Sequence, residues 1–344
     1  MDIQNQSRKK AQMNKEEVTD TNSTLYGRMS DFEEQWSLET YEKNSDIRVV
    51  KMNKTDMEFD FIGVDASVAN SFRRILLSEV PSMALEKVGV YNNTSIIPDE
   101  VLAHRLGLIP LKADARQFSY RIPDRDAIET DTLFFELNVK CSWNPKRPKD
   151  SSDPDEMYIN HKVYSKDIKW TPIGAQVDLH GPNDVGPLEP DILIAKLRPG
   201  HEISLKLEAV KGIGKDHAKF CPVATAFYRL LPEITLKRPI VDEQAERLQK
   251  CFSPGVISLD DKDGKKVARV QDARYDSCSR NVMRYDDLAD AVQLSRIKDH
   301  FIFSIESSCG TEPDELFIEA IKVLRDKCRK FLAEMKKSDL METK

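Results

Sequence analysis

The sequence predicts an α+β fold in which antiparallel strands carry a β-rich middle and two apolar helices stand near opposite ends of the chain. Three observations predict it. Apolar and polar residues alternate at 57–61, 133–139 and 203–209, the period of a strand with one buried face. Apolar residues recur at helical spacing in 68–76 and again in 317–335. Between the strands, stretches 142–156 and 171–190 are dense in Pro, Gly and Asp and read as long loops.

Residues 1–44 read as a flexible arm, polar and charged, with Phe32, Trp36 and Leu38 as candidate tethers on a partner. Met57, Phe59 and Phe61 then alternate with Glu58 and Asp60, and residues 47–52 supply an antiparallel mate through the turn-forming run 53–56. Asp65 and Ser67 both suit an N-cap, because a short side-chain oxygen accepts free first-turn amides. Val68, Phe72, Ile75 and Leu76 form the apolar stripe of that helix, and Pro81 stops it. Short strands around 88–91 lead to a second helix at 99–106, with Gly107 as a left-handed cap. Residues 237–297 read as charged and irregular, with a short helix near 286–292.

The C-terminal segment is the most legible. Phe301, Phe303 and Ile305 form one face of a strand, and Thr311 caps a helix with Pro313 and Asp314 in its first turn. Phe317, Ile321, Leu324, Cys328, Phe331 and Met335 recur at spacings of 4, 3, 4, 3 and 4, a heptad-like seam of the kind that faces a partner helix. A helix of about 24 residues is about 36 Å long, more than a small domain needs for its own core. Leu316, Ala320, Val323 and Leu332 widen the stripe. The helix packs wholly within its own fold, or one side covers the sheet while the other meets another chain.

At 344 residues the chain has room for about two domains. Hydrophobic residues make up 40% and charged residues 32%, with a net charge of −6, which argues against autonomous DNA binding. No apolar run approaches the roughly 20 residues that span a bilayer, and the N-terminus lacks the apolar core of a signal peptide. The six cysteines are scattered singly, so reduced thiols are expected and neither a metal nor another cofactor is. Gly212-Ile213-Gly214-Lys215 fails as a phosphate loop, because Ala209 and Asp216 stand where Gly and Ser or Thr are required. His104 and His217 are the best catalytic candidates, but neither has a nucleophile context or a metal-ligand mate, and both read as structural. The acidic run 260–264 reads as a solvated turn. Lys322, Arg325, Lys327, Arg329, Lys330, Lys336 and Lys337, interrupted by Asp326 and Glu334, read as a solvated helix face.

Three motifs carry a family resemblance. Residues 65–81 hold Asn70, then Arg73 and Arg74, an apolar run and a Val80-Pro81 stop. Residues 99–111 begin with Asp99-Glu100 and continue through His104-Arg105-Leu106-Gly107-Leu108-Ile109-Pro110. Lys196-Leu197-Arg198-Pro199-Gly200 is followed by 212–220 with His217-Ala218-Lys219. In this order and spacing they resemble the alpha-like subunits of DNA-directed RNA polymerases, the family of bacterial alpha and archaeal D, over roughly residues 45–340. The runs 251–257 and Asp272-Ala273-Arg274 resemble the larger form shared by eukaryotic polymerases I and III. Polymerase II and many archaeal relatives carry a cysteine cluster for zinc or an iron–sulfur cluster, where this chain offers only Cys141 and Cys221, far apart.

The resemblance implies a discontinuous alpha-like dimerisation domain, 45–82 with 296–344, built of antiparallel strands plus two helices. It implies an inserted β-rich domain at 83–236 and a charged connecting segment at 237–295. It implies a non-catalytic scaffold that pairs with a smaller alpha-like subunit and then meets the second-largest and largest subunits of polymerases I and III, with small zinc-binding subunits nearby. The location implied is the nucleus, including the nucleolus, and the service is transcription of ribosomal RNA, 5S RNA and tRNA. On this basis Asn70, Phe72, Arg73, Arg74, Leu76, Phe317, Ile321, Leu324, Cys328 and Phe331 belong to the dimer and assembly interface. Asp99, Glu100, His104, Arg105, His217 and Lys219 belong to docking of other subunits. Adjacent helix residues point about 100° apart, so one of Arg73 and Arg74 braces the dimer while the other pairs with a large-subunit carboxylate. The alternatives are the corresponding subunit of another nuclear polymerase, a free-standing nucleic-acid-binding protein using the terminal helix, and an enzyme built on His104 or His217.

Overall fold

The computed structural model describes residues 10–13, 18–20, 37–146, 152–181, 183–262 and 264–342. Phe32, Trp36 and Asp263 therefore lie outside the described residues. The chain opens with strands β1 (Lys10–Met13) and β2 (Val18–Asp20), helix α1 (Leu38–Asn44), strands β3 (Asp46–Met52) and β4 (Asp56–Ile62) and helix α2 (Ala66–Ser78). Strand β5 (Pro81–Asn93), helix α3 (Asp99–Gly107) and strands β6 (Thr132–Lys140), β7 (Lys169–Thr171) and β8 (Glu202–Ile213) follow. Strand β9 (Val223–Leu236), helix α4 (Asp242–Cys251), strands β10 (Ile257–Lys262) and β11 (Lys265–Val270), strand β12 (Val292–Ser307) and helix α5 (Pro313–Glu342) complete the principal elements. Two compact units emerge. One comprises Met1–Lys51, Glu58–Ser71 and Phe227–Ser304, the other Met52–Met57, Phe72–Ala226 and Ile305–Lys344.

The first unit is built on a sheet ordered β2-β1-β12-β4-β3, with β9 also pairing β12. Two short strands thus lie within the stretch read as an arm, and β1 pairs antiparallel with β12 in the register Lys10↔Ile297 to Met13↔Leu294. Met57, Phe59 and Phe61 on β4 are buried as their alternation predicts, and Phe59 stacks on Phe303 at 5.2 Å. Strand β3 is exposed at all seven residues.

Residues 237–297 are not irregular. Helix α4 buries Ala245, Leu248 and Cys251 in a cluster with Val256, Ile257, Ala268, Val282 and Leu288. Three apolar residues spaced by three suffice for one helix face, and the charges between them hide it from a hydropathy scan. Lys266 to Glu246 at 2.6 Å and Arg247 to Asp287 at 2.8 Å hold its polar side. Within this unit Arg274 ties to β4 through two carboxylates. Its Nε and Nη2 donate to Glu58 Oε1 at 3.0 and 2.8 Å, and its Nη1 donates to Asp60 Oδ1 at 2.7 Å.

The second unit holds an antiparallel sheet ordered β7-β6-β8-β5. Leu133, Phe135 and Leu137 of β6 and Ile203, Leu205 and Leu207 of β8 form its core with Leu102 and Leu106 of α3. Strand β5 is longer than the stretch around 88–91 suggests, because it pairs with β8 from Pro81↔Ile213 to Asn93↔Ile203. Gly107 is not a left-handed cap. Helix α3 ends in right-handed backbone at Leu108 (φ −86°, ψ −2°), and a Cβ on Gly107 would make only ordinary contact, 3.4 Å from the Leu85 carbonyl oxygen. Helix α5 starts later than a Thr311 cap implies, with the Leu316 amide donating to the Glu312 carbonyl at 3.0 Å, and it runs for 30 residues.

Candidate assembly interface

The seam on α5 divides into two parts. In the first, Leu316, Phe317 and Ala320 are buried within the chain, and Phe317 meets Phe72 of α2 with ring centroids 5.1 Å apart. Lys327 Nζ then reaches Glu79 Oε1, just past the end of α2, at 2.7 Å. In the second part the apolar stripe continues, exposed among the described residues. Ile321 is 42% exposed, Phe331 64%, Leu332 57% and Met335 49%, Cys328 is exposed, and Leu324 is half-buried. Exposed apolar patches of this kind are characteristic of interaction sites.

The other predicted interface residues sort by depth. Leu76 is fully buried and Phe72, which meets Phe317 of α5, nearly so. Asn70 and Arg73 are half-buried. Arg74 is exposed, and its guanidinium makes no ion pair or hydrogen bond among the described residues. Asp65, not Ser67, begins α2, its Oδ1 accepting the Ser67 amide at 2.8 Å. The end of α2 is held by a contact that no periodicity signals. The Lys215 amide donates to the Ser78 carbonyl at 2.8 Å, and a Cβ on Gly214 would lie 2.3 Å from the Leu77 oxygen.

The second and third motifs meet in space. The rings of His104 and His217 lie 6.2 Å apart edge to face, both exposed, and His217 Nδ1 accepts the Lys219 amide at 3.1 Å. Asp99 and Glu100 occupy the first turn of α3, where carboxylates favour the helix dipole, and Asp99 also accepts from Asn93 at 2.6 Å. Arg105 donates to the Leu193 and Ile194 carbonyls at 2.9 and 3.3 Å. Lys219 donates to the Leu85 carbonyl at 2.9 Å and pairs with Glu86. These two cations therefore tie the surface to neighbouring backbone. Around them Ile96 is 85% exposed, and Val101 and Leu108 about half exposed, apolar residues that carry no sequence signal of their own.

The sequence also matches a known family. The model described as the RNA polymerase Rpb3/Rpb11 dimerisation domain matches residues 58–328. The chain belongs to this family. It is 56% identical over 310 residues to the Homo sapiens protein "DNA-directed RNA polymerases I and III subunit RPAC1", covering 90% of each chain. It is 48% identical to the protein of the same description from Saccharomyces cerevisiae, over 90% of this chain and 93% of the relative. Similarity to the Dictyostelium discoideum "DNA-directed RNA polymerase II subunit rpb3" is lower, 31% over 83% of this chain.

In this member of the Rpb3/Rpb11 family, electrostatics reinforce the base of α5. Burial works to raise the Asp114 carboxyl, but hydrogen bonds from the Arg116 side chain and amide hold it below its ordinary value. Arg116 Nη2 also reaches Glu315, in the first turn of α5, at 3.0 Å. Cys141 is buried and burial pushes its thiol up, as it does that of half-buried Cys221. No group of His, Cys, Asp and Glu suited to a metal ion occurs among the described residues, and none of their helices is long and apolar enough to cross a membrane.

Proposed function

We propose that this chain is the larger alpha-like subunit of RNA polymerases I and III, a scaffold that acts by protein–protein contact while catalysis belongs to the complex. The observation that carries the proposal is α5, anchored over its first turns and bare along an apolar stripe beyond Ile321. A smaller alpha-like subunit covers that stripe. Burying Ile321, Leu324 and Phe331 contributes about 1.5–3 kcal/mol each, set against the entropy lost on association. The pair then nucleates assembly with the second-largest subunit, followed by the largest and by small zinc-binding subunits, in the nucleus and the nucleolus.

Arg74, Asp99, Glu100, His104 and His217 offer exposed charge and hydrogen bonding to the larger subunits. Arg105 and Lys219 position that surface. In this scheme 45–82 with 296–344 form the dimerisation domain, 83–236 the insert and 237–295 the connection, while β1 and β2 of 1–44 join the sheet of the first unit.

The test is a tagged pull-down of the chain from its native cells with stoichiometry by mass spectrometry. The expected result is recovery of the largest subunits of both polymerases with one smaller alpha-like subunit. Recovery of polymerase II alone, or of no polymerase, overturns the proposal.

A further inference from the structure

Four cations border the bare stripe of α5 on one side. At 100° per residue, Arg325, Lys336, Arg329 and Lys322 fall within about 60° of one another, beside Ile318, Ile321 and Leu332. Lys322, Arg329 and Lys336 recur every seven residues, the same interval as the seam itself. Their side chains are open: 47% exposed for Lys322, 51% for Arg325 and 69% for Arg329, with Lys336 also exposed. Their anions come from the back of the helix. Glu319 takes Lys322 at 2.7 Å, and Asp326 is shared by Arg325 at 3.2 Å and Arg329 at 3.8 Å. Two carboxylates among four cations leave this border positive.

The opposite border is not. There Lys327 is drawn back to Glu79 at 2.7 Å, and Glu334 offsets Lys330. The stripe therefore has a charged side and a neutral side, which gives it a direction.

We infer that the partner seated on α5 presents an apolar helix bordered on the facing side by a row of carboxylates, and that this row excludes a second copy of the chain. The inference rests on the heterodimer reading and names the chemistry of its partner. An antiparallel second copy would set the basic row against itself, and like charges across an interface are strongly unfavourable. A parallel copy would set the row against Lys327 and Glu334, where no net negative charge waits. A carboxylate row satisfies the cations, fixes register and steers encounter.

The experiment uses the full chain and the smaller alpha-like subunit from the same cells, mixed at several salt concentrations. The wild-type Kd is expected to rise with salt. A Lys322→Gln/Arg329→Gln/Lys336→Gln variant is expected to bind about tenfold more weakly and to lose most of that salt dependence. A Lys322→Glu/Arg329→Glu/Lys336→Glu variant is expected to bind about a hundredfold more weakly and to recover when the facing partner carboxylates are changed to lysine. It is also expected to pair with the wild-type chain, which alone sediments as a monomer. Circular dichroism of both variants checks that the helix is retained. If charge reversal leaves binding unchanged while Phe331→Asp abolishes it, the heterodimer stands and this inference falls. If partner binding is unchanged but the wild-type chain binds duplex DNA through these residues, the inference also falls. If the wild-type chain does not bind the smaller subunit at all, the heterodimer reading fails with it.

Discussion

Phe72 and Phe317 meet at 5.1 Å between ring centroids, tilted by 47°, and anchor the first turns of α5. Both rings are more than nine-tenths buried, whereas Phe331, two heptads on, is 64% exposed. The same residue type on the same helix face thus has two employments. Phe317→Ala is expected to lower unfolding free energy in urea by about 3–5 kcal/mol, the usual cost of an aromatic cavity. Phe331→Ala is expected to shift stability by less than about 0.5 kcal/mol while weakening the partner complex by about 2 kcal/mol in calorimetric titration. Equal destabilisation by both substitutions would place Phe331 in the core of its own chain.

Arg274 spends one guanidinium on two carboxylates, Glu58 and Asp60, with only 13% of its side chain exposed. Removing it leaves two neighbouring negative charges without their counter-ion. Arg274→Met is therefore expected to destabilise the chain by about 3 kcal/mol. Adding Glu58→Gln and Asp60→Asn in the same chain is expected to restore part of the loss, since the repulsion goes with the charges. Chemical denaturation of the single and triple variants reads both effects, and no recovery in the triple variant would mean that packing, not charge, is what Arg274 supplies.

Asp114 gives the base of α5 an acid limit. Its carboxyl is held below the ordinary 3.8 by Arg116 despite burial, so the folded chain binds its proton less readily than the unfolded one. Stability from this group is full above about pH 4 and is lost as the pH falls through the folded value. Thermal melts of the wild type are expected to drop more steeply below that point than melts of Asp114→Asn, whose curve should run flatter and lower at neutral pH. Parallel acid limbs in the two proteins would remove Asp114 from the account.

Much of this was legible beforehand, for a physical reason. Strand β4 and helix α2 each bury one face, so their periods are written in Met57, Phe59 and Phe61 and in Phe72, Ile75 and Leu76. Helix α4 was not legible, because Ala245, Leu248 and Cys251 are small or few among Asp242, Glu243, Arg247 and Lys250. Strand β3 forms as the antiparallel mate of β4 that the sequence suggests, but the sequence carries no sign that Ile47 and Val49 stay about half exposed. The α5 seam shows the deeper limit. Periodicity reports which face is apolar and is silent about what covers it, so Phe317 and Phe331 look alike until Phe72 is brought beside one of them. Long-range pairs such as Lys327 with Glu79 leave no local trace at all.

Gly214 couples the third motif to the end of α2. A methyl group there would stand 2.3 Å from the Leu77 carbonyl oxygen, and the obstacle is backbone that cannot swing aside. Gly214→Ala is expected to cost roughly 1–3 kcal/mol, the range for forced overpacking, and to reduce recovery of the assembled complex, because the end of α2 carries Glu79 and supports α5. A variant with wild-type stability and wild-type assembly would show that this contact yields easily.

Arg74 makes the sharpest separation between folding and assembly. It projects from α2 one residue past half-buried Arg73, is exposed, and its guanidinium makes no ion pair or hydrogen bond among the described residues. A guanidinium that stabilises nothing in its own chain can be removed at little cost there, so Arg74→Ala is expected to change unfolding free energy by less than about 0.5 kcal/mol. In the complex the same group would face a carboxylate of a larger subunit, where truncation of one partner of a desolvated pair costs about 2–5 kcal/mol. The expected phenotype is a chain that is normally stable and still binds the smaller subunit but recovers less of the second-largest subunit in a pull-down. Arg74→Lys should rescue only in part, since a point charge cannot reproduce two parallel hydrogen bonds. Undiminished recovery with Arg74→Ala would assign the bridging role to another residue of the surface, with His104 and His217 next in line.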